Sequence, residues 1–306
     1  MFIESERLFT NTKPVSVPGK IIQFPLTRFV LALLFLVPFS LLSNVSAIYI
    51  VEPSPEPYYT IFKYLQAIVY FFLFLYAYHL FTKYIEKRET LELSKKGLLK
   101  EFGAGFLIAM GLVGFMVALM SILGYYKIEA FNSVKIIADQ FVHFSMGAFL
   151  EELIFRVILF RLVEELMGSW WALAIVSLLF GFAHIGNENA SVWTSVALVI
   201  SDVLLIGAFM FTKRLWMVWG IHMSWNFFQT GIFGMPNSGQ TYKSWIQASI
   251  EGPEWITGGS FGIEASYIAI FITLIVGIIV LKMAINRKQV VLPIWKRKIV
   301  NEDITT

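Results

Sequence analysis

Long apolar runs separated by short polar segments dominate the chain. Eight runs approach or exceed the about 20 residues that an α-helix needs to cross a hydrocarbon core. They cover roughly residues 28–50, 61–82, 102–123, 136–163, 169–186, 191–212, 215–233 and 263–285. The pattern predicts an all-α polytopic membrane protein of about eight transmembrane helices, with both termini cytoplasmic. There is no internal repeat and no shift in composition that would mark off a soluble unit, so residues 1–306 read as a single membrane domain. Residues 234–262 are rich in glycine and carry Trp245 and Trp255, which predicts an irregular connector at the outer interface. Val51 to Pro57 reads as a turn stiffened by proline, which fixes its own backbone and disfavours helix before it.

Composition supports this. Hydrophobic residues make up 57% of the chain and charged residues 15%, and the mean hydropathy is +0.70, which excludes an ordinary soluble domain. Lys and Arg collect in cytoplasmic loops of membrane proteins. Most of the 24 basic residues fall before the first run, between the second and third, between the sixth and seventh, and after the eighth. The opposite loops hold only Lys127, Lys135 and Lys243, with Lys63 at the outer end of the second run. The net charge of +3 is therefore a matter of membrane orientation, and no nucleic-acid partner is expected. Residues 286–306 form a basic cytoplasmic tail, whose Trp295-Lys296-Arg297-Lys298 run suits either anionic headgroups or solvent. Glu4 and Glu6 precede a first run already long enough to span, so no cleavable signal peptide is expected. Cysteine is absent, which removes disulfides, thiol catalysis and cysteine ligands.

Against this apolar background, charges within the spans stand out, because buried charge is costly unless it is paired or faces a wet cavity. Glu151-Glu152-Leu153-Ile154-Phe155-Arg156 lies in the fourth span. Four helical positions put Glu152 and Arg156 within about 40° of each other, acid before base, so they pair. Glu151 is turned about 140° from Arg156 and is left without a partner on its own helix. A carboxylate in that setting suits general-base work. Phe180 and His184 follow in the fifth span, and His222 and Asn226 share a face of the seventh. An acid, two imidazoles and a carboxamide can activate water and stabilise an oxyanion. The same Glu151, His184 and His222 are also ordinary ligands for a divalent metal such as zinc, and spacing does not decide between the two.

These three motifs, Glu-Glu-x-x-x-Arg, Phe-x-x-x-His and His-x-x-x-Asn in this order, resemble those of the CAAX protease and bacteriocin-processing family, also called Abi or CPBP intramembrane proteases. The resemblance covers roughly residues 136–235, a protease-like core. It implies an eight-helix intramembrane endopeptidase in a multi-pass protein of a prokaryotic plasma membrane, with a site open toward cytoplasm and membrane. Its partners would be the bilayer and a membrane-associated or lipidated peptide substrate. On this resemblance Glu151 activates water, His184 positions it, and His222 and Asn226 contribute to the oxyanion pocket. Glu152, Arg156 and Phe180 support the structure. Cofactor use is open between none and a divalent metal.

Two other functions compete with this expectation. One is a non-catalytic immunity or scaffold protein of the same family, and the other a proton-coupled transporter that uses Glu151 and Asp202 as a relay. His79 and His143 match no motif and read as structural, Asp202 as paired with a polar neighbour, and Glu164 and Glu165 as headgroup-level residues. A rise of about 1.5 Å per residue puts His222 about 10 Å and His184 over 20 Å along their helices. The two are level only if the fourth and fifth helices extend past the bilayer or tilt.

Overall fold

The computed structural model describes residues 5–10 and 16–297. Glu4, Lys13 and the part of the basic tail from Lys298 onward lie outside the described residues. The fold is mainly helical, and five helices are long and apolar enough to cross a membrane. These are α2 (Pro25–Ser46, wound on as a wider π-helical turn to Val51), α3 (Tyr58–Phe81, likewise to Glu86), α4 (Leu98–Ile122), α8 (Val192–Thr212) and α11 (Tyr267–Asn286). A short helix, α1 (Val17–Gln23), precedes α2; Ser16 caps it by accepting from the Gly19 N–H.

The other three expected spans are also helical, but each departs from a simple apolar crossing. α5 (Lys135–Glu152) runs through a π-helical stretch, Leu153–Phe160, into α6 (Arg161–Met167), and this rod carries the buried charges. α7 (Ser169–Ala183) has 15 residues. α9 (Leu215–Asn226) has 12, followed by a π-helical turn to Ile232. Sequence hydrophobicity overstates their independence because they are packed among α4, α8 and α11, which provide the surfaces they need.

The helices pack on small residues, as membrane helices do where backbones must approach closely. A Cβ on Gly105 of α4 would lie 2.2 Å from the Met217 carbonyl of α9, and one on Gly220 of α9 would lie 2.4 Å from the Phe102 carbonyl of α4. The contact is reciprocal, and it fixes the height of α9.

The fold is mostly helical, as the all-α expectation has it, with one small two-stranded sheet added. Strand β1 (Tyr126–Phe131), between α4 and α5, pairs antiparallel with β2 (Ile246–Ile250) from the supposedly irregular 234–262 segment. Tyr126 faces Ile250, and the register shifts between Ile128 and Ala130. Each strand is short, and their separation in sequence removes the turn signal that marks a hairpin. The one-turn helix α10 (Glu254–Thr257) follows β2.

The bundle has two unlike ends. At the basic end, Arg28 bridges Glu86 at 2.9 Å and Glu165 at 2.7 Å, Arg161 reaches Glu86 at 2.8 Å, and Arg88 holds Glu92 at 2.6 Å. Lys213 lies 2.8 Å from Glu164, and both are fully buried, so Glu164 is an internal ion-pair partner rather than a headgroup-level residue. Chain segments near both termini join this end: Thr10 donates to the Glu86 carbonyl, and Arg297 donates to the Glu164 carbonyl. The opposite, loop end carries the sheet and the surface pairs Lys63–Asp139 and Lys135–Glu56.

Burial works against the charge of Glu92, but the Arg88 and Arg161 guanidiniums and the Tyr78 hydroxyl together outweigh it and hold this carboxyl below its ordinary range. A lowered folded value means that the ionised group stabilises the fold above the ordinary glutamate range and stops doing so as pH falls through the lowered value. Acidification is therefore expected to lower the melting temperature in detergent. Glu92→Gln should reduce that dependence, and an identical pH slope in the variant would remove Glu92 from the account.

Candidate active site

The site forms where two helices change their winding. α5 passes into the π-helical stretch directly after Glu152, and α9 does so directly after Asn226. Such stretches rotate side chains out of regular α-helical register and recur at functional sites.

Glu152 is fully buried and makes two contacts. Its Oε2 lies 3.1 Å from Arg156 Nε, and its Oε1 accepts from His222 Nδ1 at 2.6 Å. The first pairing is the one expected from spacing; the second ties α5 to α9. Arg156, also fully buried, donates to Asp202 of α8 and lies over the Phe180 ring, 4.3 Å from its centroid. One guanidinium thus gathers α5, α7 and α8. Asp202 is its ion-pair partner, in keeping with the polar pairing expected for it.

Glu151 points the other way. Its side chain keeps 41% of its exposure, and Oε2 lies 3.8 Å from His222 Nε2. That is beyond hydrogen-bond reach. Because a carboxylate only accepts, the Glu152 contact places a proton on His222 Nδ1 and directs Nε2 toward Glu151.

His184 caps the C-terminal end of α7, and its Nδ1 lies 2.8 Å from the Phe180 carbonyl. A carbonyl only accepts, so Nδ1 carries the proton and Nε2 is left as a base. The Phe180 ring contacts both imidazoles edge-on, with centroids 5.0 Å from His184 and 6.0 Å from His222. The heights of the two histidines are staggered. Glu164 binds both Ser169 at the start of α7 and Lys213 just before α9, so these helices start together and His184 lies nearer the loop end.

Asn226 Oδ1 accepts from Asn237 Nδ2 at 2.9 Å, which leaves the Asn226 amino group as a donor. The connection brings the 234–262 segment over the site. Asn187 donates to the Ser238 carbonyl at 2.9 Å, and a Cβ on Gly239, at φ +86°, would lie 1.6 Å from the Glu188 carbonyl. Only glycine permits both that backbone angle and that approach. Glu264, just before α11, accepts from Gln229 and from the Ser238 hydroxyl at 3.4 Å.

A narrow cleft of about 80 Å³ has His184, His222 and Asn226 in its walls, with Asp202, Ser238 and Glu264. Glu151 does not line this cleft; it meets His222 from another side. Sequence spacing missed Asn237, Ser238 and Glu264 altogether, because they reach the site from two segments outside the motif-bearing helices. His79 hydrogen-bonds Thr90 at 2.9 Å, and His143 packs on Tyr242, so neither joins the site.

Among the described residues, no three His, Asp or Glu side chains are grouped to hold a metal ion. Glu151, His184 and His222 are not grouped as a ligand set in this arrangement, while the Nδ1 contacts of His222 and His184 leave both Nε2 atoms open and are compatible with water or a metal.

Gly220 lies two residues before His222, and replacing it should displace the imidazole. Gly220→Val is expected to cost about 1–3 kcal/mol through overpacking and to lower any hydrolytic activity further than stability alone accounts for. Gly103→Val, where a Cβ meets nothing within 4 Å, is the control, and equal activity in the two variants would contradict the packing argument.

Comparison with curated proteins gives no match, and none of the solved structures matches the chain. Residues 133–228, which hold all seven motif side chains from Glu151 to Asn226, match the family model described as Type II CAAX prenyl endopeptidase Rce1-like, so this third of an integral membrane protein is CAAX prenyl protease-like.

Proposed function

We propose that the chain is an intramembrane endopeptidase that hydrolyses a peptide bond of a membrane-associated or lipidated substrate, using glutamate chemistry. The observation that carries this reading is the Glu152–His222–Glu151 arrangement: one buried carboxylate orients the imidazole, and the other approaches its free nitrogen at 3.8 Å. A water bonded to both groups at about 2.8 Å closes a triangle over that edge. Glu151 takes a proton from this water as its oxygen attacks the carbonyl carbon. The Asn226 amino group donates to the developing oxyanion. Breakdown of the tetrahedral intermediate cleaves the C–N bond, and the proton held by Glu151 passes to the leaving amine nitrogen. His184 Nε2 is the further acceptor that orients water or the substrate N–H.

The chain crosses the bilayer eight times on this reading, with both termini cytoplasmic. The meeting of the segments at Thr10 and Arg297 at the basic end supports that orientation.

The test is cleavage of a lipidated reporter peptide by purified protein in liposomes, with and without a chelator. Wild type should cleave in both conditions, and His222→Ala should be about 10²-fold slower. Chelator-sensitive cleavage would replace glutamate chemistry with metal chemistry. A folded protein that binds the peptide without cleaving it would favour the non-catalytic immunity or scaffold reading.

A further inference from the structure

The orientation of the site relative to the membrane separates this chain from the cytoplasmic opening that its resemblance implies. At the basic end the exposed lysines include Lys83, Lys87, Lys95, Lys96, Lys100 and Lys282, which identifies that end as cytoplasmic. It is also the sealed end. The buried Arg28–Glu86–Arg161 and Lys213–Glu164 pairs fill the space between the helices there, and Arg156, Val157, Ile158, Phe160, Arg161 and Leu162 are all buried on the inner half of the α5–α6 rod.

On the outer half of the same rod, where Phe144, Ala148 and Phe149 are buried, one face is left uncovered by protein. Gly147 and His143, one and two turns from Glu151 toward the loop end on its own face, are exposed, and a Cβ on Gly147 would meet nothing within 4 Å. Tyr242, from the segment after α9, packs against His143 at the end of this stripe. The cleft holding His184, His222 and Asn226 likewise ends in loop-end residues, Ser238 and Glu264.

We propose that the site is entered from the non-cytoplasmic face, and that its substrates are membrane-anchored polypeptides whose scissile segment lies in or above the outer leaflet. This proposal rests on the proteolytic reading for the word substrate, but the direction of entry stands on geometry and charge alone. Prenylated chain ends displayed in the cytoplasm would meet the sealed end. A peptide reaching down the Gly147 stripe meets Glu151 and His222 first.

The chain has no cysteine, so single cysteines report accessibility without background. Gly147→Cys probes the stripe, Gly186→Cys, also in open space, the loop end beside His184, and Lys95→Cys the basic end. In intact cells expressing each variant, a membrane-impermeant maleimide should label Gly147→Cys and Gly186→Cys and leave Lys95→Cys unlabelled until the cells are lysed. Labelling of Gly147→Cys only from the cytoplasmic side, or from neither side of the membrane, overturns the proposal, as does labelling of Lys95→Cys in intact cells. The readout involves no hydrolysis: an inactive protein labelled as described refutes only the proteolytic reading, whereas an active one labelled from the cytoplasm refutes only the direction of entry.

Discussion

Glu151→Gln is expected to lower peptide hydrolysis by about 10²–10⁴-fold, the range associated with loss of a positioned general base, while leaving the melting temperature nearly unchanged. The second half of this expectation follows from exposure. The Glu151 side chain keeps 41% of its exposure, and its approach to His222 is 3.8 Å, so an isosteric amide removes no buried ion pair. Surface-type substitutions of this kind usually shift stability within about 0.5 kcal/mol. The measurement pairs single-turnover cleavage in liposomes with thermal unfolding in detergent. Glu152→Gln gives the contrast, because Glu152 is fully buried and engages both Arg156 and His222, so that substitution should lower stability and activity together. Full activity in Glu151→Gln combined with a large loss in Glu152→Gln would transfer the role of base to His222, oriented by Glu152 in the way a triad acid orients its histidine.

What was legible in the sequence is what lies on one helix. The Glu152–Arg156 pairing, the separate direction of Glu151, and the shared face of His222 and Asn226 all follow from spacing in residues, because neighbours four apart are neighbours in space. The Arg156–Asp202 and Glu152–His222 contacts cross between helices, and nothing in local periodicity reports the rotation of one helix about its axis relative to another. Close packing sets it, as where Gly105 meets Met217 and Gly220 meets Phe102, and so does the π-helical winding after Glu152 and Asn226, which a constant angle per residue does not anticipate. The β1–β2 pairing was hidden for a related reason: alternation over five or six residues is a weak signal when the partner strand is far along the chain. Glu164 and Lys213 were illegible because charge near the end of an apolar run reads as exposed, whereas here two such charges neutralise each other inside the protein.

The same crossing contacts make Arg156 a sensitive position for the fold. Arg156→Leu is expected to destabilise the protein by about 3–5 kcal/mol, the usual effect of removing one member of a buried ion pair and stranding its partners. Two carboxylates, Glu152 and Asp202, would be left without their counter-ion in the interior, and Phe180 would lose the cation stacked on its ring. Thermal unfolding in detergent measures the loss, and expression as aggregated chain is its extreme form. The double variant Arg156→Leu with Asp202→Leu distinguishes charge from shape: if the cost comes from uncompensated charge, the second substitution should recover part of it, and the coupling in a double-mutant cycle should reach about 0.5–3 kcal/mol. Additive losses would instead mean that Arg156 acts through packing alone. Hydrolysis should not recover in the double variant to the extent that stability does, because Glu152, which Arg156 also contacts, is then free to turn away from His222 Nδ1, and the imidazole loses the partner that directs its other nitrogen toward Glu151.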